Sequence, residues 1–363
     1  MRAPLVERPV AKAPEIDIDP PGMRAQREAA IALAMMPDDP WTFAESLAAS
    51  ATETGADKSR CGDDERPRFA ASETRDGVPA VDQTAAAGPH YLAARARMDA
   101  ALRASADPLD RAVADWLDVG QMRTPSGRVD ALVQQAAATS DARVYALAYR
   151  TCLVGHPAAA SCTALSARRW ADLDPGNGIP WVYVFDQARS ADDSPGQQEA
   201  LGRLASASRF DDYRFAAAAA VAARAPDNDQ DLAATADLSV AAVGMTFAEV
   251  TPISSLSAAC RANAGGDAER ARQCLAVSDV MFDHTDSVFI RAMGGVLQFQ
   301  TTGDDTKREV ARAERALAAK AWSPATGFSE CQQVRDILKT MRRNGEIGEV
   351  AAMHERARVF VTP

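Results

Sequence analysis

Aromatic residues supply only 6% of this 363-residue chain. Runs in which β-branched and polar residues alternate are nearly absent, which excludes an extensive sheet core. No apolar run is long enough to cross a bilayer, so no membrane span is expected. No basic block stands free of acids: the densest, Lys307 to Lys339, interleaves Glu309, Glu314, Glu330 and Asp336. With a formal net charge of -10, the chain lacks the uncompensated positive stripe of a nucleic-acid binder. Also missing are a G-x-S-x-G elbow, a P-loop, an H-E-x-x-H helix and a dinucleotide fingerprint. No cofactor and no catalytic constellation are therefore expected. These absences leave open a carboxylate pair, which needs no local signature.

What the chain does have is alanine and leucine, which carry most of its 47% hydrophobic content. Alanine is the best helix former and lets helices approach closely. Apolar residues recur at helical spacing in one segment after another. Leu109, Ala112, Val113, Trp116 and Leu117 form one such face; Val129, Leu132, Val133 and Ala136 form the next. Short turns separate these faces, giving roughly sixteen helices of ordinary length. Short connections favour antiparallel neighbours. The expected fold is all-α, an irregular α-solenoid of stacked antiparallel helical hairpins. Residues 1–22 read as a disordered arm, 23–51 as a short helical pair, 52–88 as a linker or partly disordered loop, and 89–363 as the helical-hairpin domain.

The stretch from Thr163 to Asp192 organises the rest. Leu165, Trp170 and Leu173 fall on one helical face, and Asp174-Pro175-Gly176-Asn177 breaks the helix. Pro180 then suits a first helical turn, with Trp181, Val184, Phe185 and Ala188 on the following apolar face. Trp170, Leu173, Pro175, Asn177 and Trp181 together resemble the junction between tetratricopeptide-type repeats. There, a helix ends in a leucine-Asp-Pro-x-Asn turn and an aromatic opens the next helix. The match is specific at this junction and weak elsewhere, with no 34-residue period along the chain. The wider pattern is similar to alanine-rich helical proteins of proteobacteria. The resemblance implies a scaffold that binds a protein or peptide partner, without catalysis.

Six cysteines are present. Cys152 and Cys162 flank the turn Gly155-His156-Pro157, and Cys260 and Cys274 flank Gly265-Gly266 in the same way. A hairpin can bring such positions within disulfide reach; the alternative is four small buried hydrophobes. If oxidised, the pairs favour the periplasm or cell envelope over the cytoplasm. A zinc site on Cys152, His156 and Cys162 lacks a fourth ligand at finger-like spacing, so no metal is expected. Cys331 reads as a core residue and Cys61 as an exposed linker thiol. Asp283-His284-Thr285-Asp286 could serve an acid–base role, but reads better as a turn with Asp286 capping the next helix. His90 reads as a loop residue and His354 as half-buried on the last helix. Gly294-Gly295 marks close helix packing, and Asn344-Gly345 a turn before a last helix carrying Ile347, Val350 and Ala351. The arm Met1 to Gly22 has no continuous apolar core of a signal peptide. It fits a trimmed exported chain and a plain terminus equally. The runner-up function is a helical hydrolase using Asp and Glu carboxylates in a concave groove.

Overall fold

The computed structural model describes residues 69–75, 78–83, 88–119, 127–154, 160–226, 231–244, 250–261, 267–322 and 330–361. All of them lie in the compact unit Trp41–Pro363. The arm 1–22, the helical pair 23–51 and Cys61 lie outside the described residues, as do the turns at 155–159 and 262–266.

Helices dominate. In chain order they are α1 (Pro89–Arg103), α2 (Pro108–Val119), α3 (Gly127–Ala138), α4 (Ala142–Val154), α5 (Ala167–Leu173), α6 (Ile179–Ser190), α7 (Ser194–Ala205) and α8 (Arg214–Ala222). There follow α9 (Leu232–Gly244), α10 (Val250–Arg261), α11 (Ala268–Asp283), α12 (Val288–Thr302), α13 (Thr306–Trp322), α14 (Glu330–Ile347) and α15 (Glu349–Val361). A 3₁₀ turn, Ala160–Ala164, precedes α5. Among the described residues no helix is long and apolar enough to cross a membrane. Within the stretch read as a linker, β1 (Phe69–Arg75) and β2 (Val78–Gln83) pair antiparallel, with Phe69 opposite Gln83 and Ala71 opposite Val81. Its local signal is Asp76-Gly77, a dipeptide suited to two-residue hairpin loops.

Local chemistry explains where the helices start. Proline occupies the first turn of α1, α6 and α7, where its missing N–H costs nothing. At several starts, α7 among them, a short side chain takes up an orphan N–H. Ser166 accepts from Arg169 N at 3.1 Å, Asp193 from Gly196 N at 3.0 Å, and Asp267 from Glu269 N and Arg270 N, each at 3.1 Å. The cap of α12 is Ser287, which accepts from Ile290 N at 3.3 Å. Asp286, the cap expected from the sequence, sits one residue earlier and has another environment.

Sequence neighbours pack on one another: α2 on α3, α3 on α4, α6 on α7, α11 on α12 and α12 on α13. Long-range packing is superposed on this. Helix α8 lies against α9, α2 and α14, while α7 lies against α11 and α6 against α10. The main buried cluster is continuous from Met98 in α1 to Met341 in α14.

Glycines mark the closest approaches. A Cβ on Gly294 would stand 2.8 Å from Phe282 N and 3.0 Å from Met281 Cβ, both on α11. A Cβ on Gly295 would stand 3.0 Å from Arg308 Cα on α13. The pair therefore lets α12 sit between two backbones. Gly294→Ala is expected to destabilise by about 2 kcal/mol through overpacking. Gly202→Ala, where a Cβ meets nothing within 4 Å, should stabilise by roughly 0.5–1 kcal/mol. Urea midpoints of the two variants check both signs.

The turn expected at Asn344-Gly345 is not there. Helix α14 runs through both residues to Ile347, and the break falls at Gly348, with φ +84°. Gly345 serves the α8–α14 contact instead, since a Cβ there would collide with Ala219 Cβ. Ile347 thus belongs to α14 and is exposed, and the last helix buries Ala352 and Met353. His354 is exposed, with Nε2 3.5 Å from Glu314 Oε1. His90 lies within the first turn of α1.

Candidate functional site

Trp170 is fully buried near the end of α5. Its ring centroid lies 5.8 Å from those of Tyr149 and Tyr183, and the Arg150 guanidinium lies 5.3 Å from it. Leu173 is half-buried, Pro175 is exposed, and Trp181 is half-buried between the guanidinium groups of Arg168 and Arg203. Asn177 is the centre of the junction. It is fully buried and uses its side chain four ways. Its Nδ2 donates to Asp174 Oδ2 at 2.8 Å and to Asp211 O at 2.7 Å. Its Oδ1 accepts from Ile179 N at 3.1 Å and Asp211 N at 3.0 Å. Asp174, also buried, pairs with Arg209 and accepts from Tyr213 Oη at 2.7 Å.

The turn after α5 is therefore tied to the loop before α8, and the tying continues from turn to turn. Gly178 N donates to Arg209 O at 2.9 Å, and Ser208 N donates to Gly176 O at 3.0 Å. Phe210 N donates to His284 O at 2.8 Å, in the turn before α12, and Thr285 Oγ1 returns a bond to Phe210 O at 2.7 Å. Val350 N, after the α14–α15 break, donates to Asp286 O at 3.0 Å. Four turns far apart in sequence thus form one hydrogen-bonded edge.

Carboxylates collect along that edge. Oxygens of Asp211, Asp212 and Asp286 lie within 4.8 Å of one another. Glu349 is adjacent and accepts from Val288 N at 2.8 Å. Burial, reinforced by Asp212, pushes the Asp211 carboxyl up to about 6. Asp286 stands at the rim with its outer side open. Loss of water on its inner side, with Asp211 and Asp212 facing it, pushes its carboxyl up to about 7. Burial also raises Glu349. Three oxygens at this spacing could converge on a cation. Arg214 Nη2, 3.0 Å from Asp212 Oδ2, already supplies a positive charge there.

The sign of its pH dependence follows. Asp211 and Asp286 titrate higher in the folded chain than the ordinary 3.8. They contribute stability below that value and lose it as the pH rises through about 6 and 7. Asp286→Asn should therefore stabilise by about 1 kcal/mol at pH 8, allowing for solvent screening at the rim, and by almost nothing at pH 4. Thermal melts across that range give the answer.

The Cys152–Cys162 disulfide spans a Cα–Cα distance of 5.6 Å and the Cys260–Cys274 disulfide 5.8 Å. Cys331 is disulfide-bonded too and half-buried, not the core thiol that its helical position suggests. Tyr213 and Arg214 also border a second feature, a cavity between α2, α4, α8 and α9 whose wall includes Arg143 and Arg150. Sequence reasoning missed Asp211, Asp212, Glu349 and these arginines, because nothing local distinguishes them from solvated helix ends. No protein-family model, curated protein or solved structure matches the chain.

Proposed function

We propose that the chain is a non-catalytic scaffold, an irregular α-solenoid of tetratricopeptide-like hairpins that holds a protein or peptide partner in an oxidising compartment such as the periplasm or cell envelope. The observation that carries this reading is the hydrogen-bonded edge of turns. It fixes hairpins from α5 to α15 in register, so that helix faces far apart in sequence are held relative to one another. A rigid array of helix faces binds an extended or helical partner without paying to order itself first. The disulfides at Cys152–Cys162 and Cys260–Cys274 support the choice of compartment.

Affinity capture from the native envelope fraction with the oxidised chain tests it. The expected result is one stoichiometric partner whose complex weakens when Asn177 is replaced. A chain that runs alone by light scattering in that fraction contradicts it.

A second reading, a hydrolase using acid–base carboxylates, draws on the raised carboxyls of Asp211 and Asp286. Turnover of a glycoside or ester panel, lost in both Asp211→Asn and Asp286→Asn, would favour it over the scaffold.

A further inference from the structure

Cys331 is disulfide-bonded at the start of α14. A sulfur makes one S–S bond, so its partner follows by elimination. Of the six cysteines, Cys152 is joined to Cys162 and Cys260 to Cys274. Within this chain that leaves Cys61, which lies outside the described residues. We propose that Cys331 is bonded to Cys61, and that the acidic run Asp63-Asp64-Glu65 beside Cys61 docks along an exposed basic row of α14.

The face of α14 fits this occupant. Val334, Leu338 and Met341 form its buried stripe, and Arg335, Lys339 and Arg342 are exposed beside it. Residues 331, 335, 339 and 342 fall at i, i+4, i+8 and i+11, so they share one side of the helix. Cys331 heads this row, half-buried at its border with the stripe. Two acids of the same helix are engaged elsewhere: Asp336 pairs with Arg356, and Glu346 with Arg343. The sequence Cys61-Gly62-Asp63-Asp64-Glu65 supplies the opposite charge next to the second sulfur. An extended chain advances about 3.3 Å per residue and an i, i+4 step along a helix about 6 Å. Two residues of the acidic run therefore span one step of the basic row. A bond between Cys331 of two copies fits worse. An isologous pairing would set the same basic row on both sides, and like charges would face each other.

The bond joins segments roughly 270 residues apart, and so holds the chain ahead of α1 on the C-terminal helices. In forming it, the two thiols give two electrons and two protons to a disulfide oxidant, which leaves as a dithiol. Only the oxidising conditions of Cys152–Cys162 and Cys260–Cys274 are needed, and the scaffold reading is not.

Tryptic peptide mapping of the full oxidised chain, alkylated and left unreduced, tests the bond. The expected result is one linked species of residues 61–68 and residues 321–335 that separates on reduction. An alkylated Cys331, Cys331 joined to its copy in a second chain, or a link to any cysteine but Cys61 would overturn it. The charge match is read from the equilibrium of the bond against a glutathione buffer. Arg335→Gln combined with Lys339→Gln should lower that equilibrium constant about fivefold at low salt, through the loss of two exposed ion pairs. At about 1 M sodium chloride the difference should shrink, because exposed charges are screened. The Cys152–Cys162 bond in the same sample should keep its own constant. An unchanged Cys61–Cys331 constant at low salt in the folded double variant would overturn docking on the row.

Discussion

Replacing Cys260 and Cys274 together by alanine is expected to cost about 3 kcal/mol, and the same change at Cys152 and Cys162 slightly less. The sequence separations are 14 and 10. Closing loops of this size in the unfolded chain removes entropy that grows only slowly with length, so the two bonds contribute nearly alike. With both removed, the loss should reach about 5–6 kcal/mol, comparable to the whole margin of many domains. The second pair has the more local consequence. Cys260 lies at the end of α10 and Cys274 in α11, two helices that otherwise touch only lightly. Breaking it should free α10 from α11 while α11 stays packed on α7 and α12. Urea unfolding followed by circular dichroism measures the total. Unchanged midpoints in both double variants would show that the bonds do not constrain this fold.

Asn177→Ala is expected to destabilise by about 3 kcal/mol. Four hydrogen bonds end on one fully buried amide. Each is worth about 1 kcal/mol net when lost with a polar partner left behind in a buried setting. Asn177→Asp should be worse at neutral pH than its size suggests. It sets a third carboxylate beside the buried Asp174 and the Asp211 that is already held up at about 6. Lowering the pH to about 5 should recover part of that loss, because the added acid can then take a proton. Pro175→Ala, exposed in the same turn, should shift stability by less than about 1 kcal/mol. Equilibrium unfolding of the three variants separates the amide from the turn around it.

Helix positions were legible in the sequence because each face follows a 3.6-residue period. Leu109, Ala112, Val113, Trp116 and Leu117 are all buried, as are Val129, Leu132, Val133 and Ala136. The two cysteine pairs were legible because in the sequence each flanks a short turn-forming stretch, although Cys162 lies in the 3₁₀ turn before α5 rather than in a helix facing α4. The places where sequence reading failed are those where a distant element decides. Gly345 looks like a turn residue, but Ala219 of α8 presses on it from more than a hundred positions away, so the helix continues. Asp286 looks like a cap, yet Ser287 takes that role, and Asp286 faces carboxylates from the loop before α8. Asn177 looked like a turn former. Its bonds to Asp211, the reason the turn matters, follow from tertiary structure alone. Arg143 and Arg150 share a face of α4 at readable spacing, but Arg214, from another helix, makes that face a cavity wall.

Amide hydrogen exchange at Gly178, Phe210, Asp211 and Val350 probes most directly whether one bonded edge of turns fixes the helices in place. Gly178, Phe210 and Asp211 lie in turns and Val350 in the first turn of α15, where an amide has no partner within its own helix, and each donates to a different turn or holds Asn177. Protection approaching that of the α6 interior is the predicted result. Exchange at the rate of open loop amides, with α6 still protected, would mean that the hairpins are held only by their sequence neighbours.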